Sequence, residues 1–249
     1  MKNVLLLALT GWRENLRSRF FLLSVAFAGV FLYMSLLLGV LAVEQEVRVL
    51  YDFGLGFIEL MGLAGALYGA VTIILHEMET KTIYLILTRP VSRGEYLLGR
   101  FLGLMLSVLA SMVLMAVFHL AILAAKGWRW TDPYALAFLG AYLKVFVTSA
   151  LATFLAVFSS SALTAGVLAA VGWTLGHFLP EIRFLVQRAS VLAAAPLAAL
   201  SWIVPDLQLY NLRDRAALEA PLWWWFAYAA LYSAVWLVLG RSLFRRKEF

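Results

Sequence analysis

Six apolar segments, roughly 20–43, 53–75, 97–125, 134–158, 162–179 and 221–240, alternate with shorter polar stretches along this chain. At 1.5 Å per residue each is long enough to cross a hydrocarbon core of about 30 Å as a helix. Composition agrees: 64% of the 249 residues are hydrophobic and 14% charged, with mean hydropathy +0.90. Soluble domains hold about 45–50% apolar and about 25% charged residues. The expected fold class is an all-α membrane protein, residues 1–249 forming a single transmembrane domain. Six transmembrane helices are joined by an N-terminal interfacial amphipathic helix and a re-entrant element before the last span.

Local signals set the boundaries. Residues 134–179 would far exceed a bilayer as one helix, so Ser159, Ser160 and Ser161 mark a tight turn between spans four and five. Asp132 before Pro133 predicts an N-cap with proline at the first helical position. Pro180 is expected to stop span five, and Glu219–Pro221 to restart the chain into span six. Within 180–220, the run 191–204 is apolar but too short to cross, and Pro196 interrupts it. A re-entrant or interfacial helix pair buried against protein is expected there, because irregular backbone does not face lipid. Trp223, Trp224 and Trp225 fall where an aromatic belt belongs.

Residues 1–19 do not read as a cleavable signal, since the run Val4–Leu9 is short and Arg13, Arg17 and Arg19 follow it. Leu5, Leu9, Trp12, Leu16 and Phe20 recur at helical spacing, which predicts an amphipathic helix in the interface with Trp12 as anchor. A ragged first turn of span one is the alternative.

Lys and Arg choose the orientation. Lys2, Arg13, Arg17 and Arg19, then Lys81, Arg89, Arg93 and Arg100, then Arg241, Arg245, Arg246 and Lys247 lie on one side. Arg48, Lys126, Arg129, Arg183, Arg188, Arg213 and Arg215 are spread thinly over the other. The excess places both termini and residues 76–96 in the cytoplasm, the chain lying in the cytoplasmic (inner) membrane. The net charge of +6 and the pI near 9.7 follow from the same flanking residues, which makes the lipid bilayer the partner rather than nucleic acid.

The stretch His76–Gly103 is the longest polar interruption in the first half. Ser92 and Glu95 form a capping-box signature, so a helix should open there. Pro90 disfavours helix at Arg89, so a preceding helix should end before it. The stretch therefore reads as an arriving helix, a short surface helix, a proline-set elbow and a departing helix. Glu77, Thr82, LTRPVSR at 87–93 and LLGRFLG at 97–103 resemble the cytoplasmic loop of ABC-2 type transporter permeases, a family that includes the permease of the nitrous oxide reductase maturation system. That family's pattern runs as Glu, a Thr, two or three Leu, Ser-x-Pro-Val-Ser-Arg and Leu-Gly-Lys-x-Leu-Gly. Thr88 stands where Ser is common, Arg100 replaces Lys, and Lys81 stands where Gly would make a flexible turn. The length of the chain and the spacing of its spans also match.

The resemblance implies the permease subunit of an ABC-type transporter, with 76–96 as the coupling loop on which a separate ATPase docks. Glu77, Glu79, Lys81, Arg89 and Arg93 would offer charged contacts beside Thr82. Ile83, Tyr84, Leu85 and Leu87 would form an apolar knob, and Pro90 would set the elbow. It further implies two permease copies, expected as a homodimer, with two ATPases and export as the usual direction. ATP and Mg²⁺ would sit on the ATPase, and no cofactor on this chain. Family members move drugs, lipids, polysaccharides, peptides and a component for copper-centre assembly; an apolar lining favours a hydrophobic or amphipathic cargo. A membrane scaffold or assembly factor, and an intramembrane enzyme, are the rival readings.

Enzymatic motifs are missing from the sequence. No G-x-x-x-x-G-K-[ST] occurs, so ATP hydrolysis is not expected here. His76–Glu77 begins like a zinc protease motif, but Thr80 replaces the second histidine. No G-x-S-x-G turn occurs, Cys is absent, and His119 and His177 lie in different spans with no carboxylate pair on a shared face. Gly65–Gly69, Gly99–Gly103 and Gly172–Gly176 allow close helix approach, within the subunit or between subunits. Glu59 and Lys144 are the ionisable residues inside spans, and each must face protein, a cavity or the interface. Snorkelling accounts for Glu59 as well as a pathway role does; Lys144 is the better pathway candidate.

Overall fold

The computed structural model describes residues 2–18, 22, 25–26, 29–30, 33–34, 37, 45–80, 91–188, 191–212 and 221–246. Among these the regular structure is wholly helical: α1 (Lys2–Leu16), α2 (Glu46–Glu79), α3 (Arg93–Ala125), α4 (Asp132–Phe158), α5 (Ala162–His177), α6 (Leu179–Arg188), α7 (Val191–Ile203), a 3-10 turn (Gln208–Tyr210) and α8 (Leu222–Arg246). Four of them, α2, α3, α4 and α8, are long and apolar enough to cross a membrane. A fifth crossing arises if α5 and α6, bent by 73° at Phe178, act as one broken span. The described residues therefore hold four or five of the six expected spans. Most of the first, 20–43, lies outside the described residues, although Val25 packs against the core.

Capping chemistry explains the sharp helix ends. Ser92 Oγ accepts from Glu95 N at 3.2 Å, and Ser92 N donates to Glu95 Oε2 at 2.9 Å, so both halves of the capping box are made. At the other end of α3, Gly127 takes φ +83°, Trp128 N donates to Leu123 O and Gly127 N to Ala124 O, each at 3.0 Å. This pairing closes the helix with its last carbonyls satisfied. The serine turn separates α4 from α5 as expected.

Three boundaries differ from expectation. Helix α4 begins at Asp132 with Thr131 as its extended N-cap, so Asp132 is the first helical residue and Pro133 the second. Helix α5 ends at His177, before Pro180, which instead sits in the first turn of α6, where its missing N–H leaves no helical bond unmade. Pro196 lies inside α7, which runs unbroken to Ile203 and packs on α6.

Helix α4 is the hub, packed against α2, α5 and α8, while α3 lies between α1 and α2. The main core joins Ile58, Ala66 and Ala70 of α2 to Met105, Val108 and Met112 of α3 and Val145 and Ala152 of α4. Buried Thr148, Ser149 and Thr153 return their hydroxyls to carbonyls four residues back, at 2.6–2.8 Å, so α4 carries them without exposed polar groups. The face that helix α1 packs on α3 is not the leucine stripe. Ala8 and Gly11 are buried while Leu5 is 62% exposed. A Cβ on Gly103 would lie 2.7 Å from Ala8 O, and one on Gly99 2.6 Å from Leu7 Cβ. Small residues on α3 thus admit the backbone of α1, and Leu5, Leu6 and Leu9 are left to the outside.

Candidate functional site

The helix ends that bound residues 80–92 meet in a charged cluster. Glu77, in the last turn of α2, accepts from the guanidinium of Arg100 and the hydroxyl of Tyr96 on α3. The other terminal nitrogen of Arg100 reaches Glu14 Oε2 of α1 at 2.6 Å. One planar guanidinium therefore fastens three helices, a task its forked donors suit better than a lysine ammonium. Arg93 Nη1 donates to the carbonyls of Phe244 (2.6 Å) and Arg245 (3.2 Å), the last carbonyl region of α8. A cation there complements the negative helix end. Tyr96 stacks on Phe244 with centroids 5.8 Å apart. Glu77 and Arg93 are thus both held in internal contacts.

Glu79 is the last residue of α2. Lys81, Thr82, Ile83, Tyr84, Leu85, Leu87, Arg89 and Pro90, with the short surface helix expected there, lie outside the described residues. Their anchors are nonetheless defined: α2 arrives, α3 departs, and α1 and α8 brace the two. Beside the end of α2 a hollow of about 640 Å³ opens between α1, α2 and α3. Glu14, Tyr68, Thr72, His76 and Ser107 give it polar walls, and Gly65 lines it. Gly69 also borders it, and a Cβ there would meet Leu104 Cδ1 at 2.3 Å, so this glycine serves packing between α2 and α3.

A second charged cluster lies deep in the bundle. Lys144 Nζ of α4 sits 3.2 Å from Glu59 Oε1 and 3.4 Å from Oε2 of α2. His177 at the end of α5 brings Nε2 to 3.5 Å from Lys144 Nζ and 3.7 Å from Glu59 Oε1. Glu59 and Lys144 are 6% and 5% exposed, so Glu59 does not snorkel, and Lys144 is turned to its counter-ion. Its Nδ1–H donates to Trp173 O at 3.0 Å, which turns Nε2 towards Lys144 and Glu59. Gln208 Nε2 donates to His177 O at 2.7 Å, and Leu207 N to Gly176 O at 3.2 Å, so the cluster is continuous with the α5–α6 bend.

The part played by His177 is invisible in its own stretch of sequence. Glu59 and Lys144 stand roughly thirteen and twelve residues beyond the starts of α2 and α4, helices that run the same way, so each lies about 18–20 Å in. His119, by contrast, is a core histidine: its ring bonds Tyr134 Oη and Leu50 O, each at 3.1 Å, in the space left by Gly54. Among the described residues no three His, Asp or Glu side chains converge in a way that could hold a metal. Comparisons of the chain with protein-family models and with curated proteins found no match.

Proposed function

We propose that the chain is the permease subunit of an ABC-type transporter of the ABC-2 kind, coupling ATP hydrolysis on a separate subunit to export. The observation that carries the reading is the bracing of the elbow. The two helices that bound residues 80–92 are tied to each other, to α1 and to α8 by Glu77, Arg100, Tyr96 and Arg93. A push delivered to that loop moves four helices together instead of being absorbed by a flexible turn. This is the mechanical requirement of a part that receives a partner's nucleotide cycle, and the resemblance at 77–103 points to the same use. ATP and Mg²⁺ belong to the partner, and the permease pairs with a second copy of itself.

In this reading the elbow faces the cytoplasm, both termini lie on that side of the inner membrane, and 180–220 lies across it. The bent α5–α6 pair with α7 then forms the re-entrant element. The buried Glu59–Lys144–His177 cluster keeps α2, α4 and α5 in register while the elbow moves.

The deciding experiment replaces 83–88 by Gly and Ser, leaving every described brace intact. The expected result is an inserted, folded permease that no longer co-purifies with its ATPase. Retained assembly with substrate-stimulated ATP hydrolysis overturns the docking role. An introduced thiol at residue 86 should resist an impermeant reagent in intact cells; labelling from outside overturns the orientation.

A further inference from the structure

At the foot of the seam between α3 and α8 a small basic hollow of about 330 Å³ adjoins an apolar groove of about 440 Å³. Arg93, Arg241 and Arg245 line the hollow, and Arg241 borders both spaces. Gly94 makes the junction: a Cβ there would fall 2.8 Å from Arg241 Cδ and Nε, so its absence lets the arginine lie over the first turn of α3. Among the described residues neither Arg241 nor Arg245 enters an ion pair. The one carboxylate at the mouth, Glu95, is engaged by the backbone of Ser92. Among the described residues, the two spaces are therefore lined by three arginines and one carboxylate.

Above the hollow, the groove is walled by Leu98, Phe101, Phe146, Ala234 and Val238. It belongs to the outer side of the bundle, where Leu231, Val235 and Val238 of α8 are 55–70% exposed. From Arg241 up to Ala230 it climbs about 16 Å, half of a hydrocarbon core of about 30 Å. A group held at Arg241 thus stands at the membrane surface while the groove reaches the bilayer centre.

We infer that the α3–α8 seam binds one anionic phospholipid, its phosphate among Arg241, Arg245 and Arg93 and an acyl chain in the groove. The occupant is a bound lipid of one leaflet on the outside of the bundle, not a transported molecule. The inference requires only that this end of the bundle lies at a membrane surface, and it stands apart from the transporter reading.

Native mass spectrometry of the full chain released from detergent micelles tests it, with phosphatidylglycerol and phosphatidylcholine as probes. Phosphatidylglycerol should be retained preferentially. R241Q/R245Q should lower that retention about thirtyfold, roughly fivefold for each cation at a membrane surface, whereas R241K/R245K should largely preserve it. Ala234→Phe, which fills the groove without touching the arginines, should release both lipids. Three results overturn the proposal: unchanged retention in R241Q/R245Q, unchanged retention in Ala234→Phe, or displacement of phosphatidylglycerol by millimolar inorganic phosphate, which would mark a free-anion site.

Discussion

Lys144 Nζ of α4 lies 3.2 Å from Glu59 Oε1 of α2, and both side chains are more than nine-tenths buried. An ion pair so placed need not stabilise the fold relative to apolar residues, but breaking one half leaves an uncompensated charge in a dry site, which costs about 3–5 kcal/mol. Glu59→Gln should therefore strongly lower the melting temperature in detergent, while Glu59→Gln with Lys144→Met should recover much of the loss. A double variant as unstable as the single one would show that the pair is not an energetic unit.

The guanidinium of Arg100 makes two charge-assisted contacts, to Glu77 and Glu14. Arg100→Lys keeps the charge but cannot hold both carboxylates in the forked geometry, so about 1.5–3 kcal/mol should be lost with one of them. Arg100→Met loses both and should be worse. Limited proteolysis within 81–90 is the readout, with the order of cleavage expected to be Met, then Lys, then the parent chain.

Ser92 closes the entry to α3 by a reciprocal cap. Ser92→Ala should cost about 1 kcal/mol, and Ser92→Gly a few tenths. Equal melting temperatures for parent and Ala variant would show that the cap contributes nothing to stability.

Helix α1 sits on α3 through Gly99 and Gly103. Gly103→Leu forces a branched side chain against the backbone of Ala8 and should cost about 1–3 kcal/mol or detach α1. The chain has no cysteine, so one introduced at Ala8 can be labelled cleanly. Its thiol should be protected in the parent and reactive in the Leu variant.

What could be read from sequence was whatever is decided locally. The capping box needs residues three apart, and the serine turn follows from a length no bilayer accommodates, so both were legible. Asp132 and Pro180 drew their boundaries one and two residues from their places, because proline is equally at home in a first turn and beyond a last one. The leucine stripe of α1 was visible as a pattern, yet the face packed on α3 is the one carrying Ala8 and Gly11. Close approach selects small residues there, and hydrophobicity alone does not register that. The site divides the same way. Glu59 and Lys144 stood out by type, but their pairing and the arrival of His177 depend on which helices neighbour α4, which no local spacing encodes.

The grip of Arg93 on the carbonyl of Phe244 joins residues 151 positions apart. At ribosomal speeds of about 5–20 residues per second, the arginine waits roughly 8–30 s for its acceptor. Through that interval the contact between α3 and α8 is unmade. The tie between α3 and the end of α8 therefore closes only once α8 has emerged and docked.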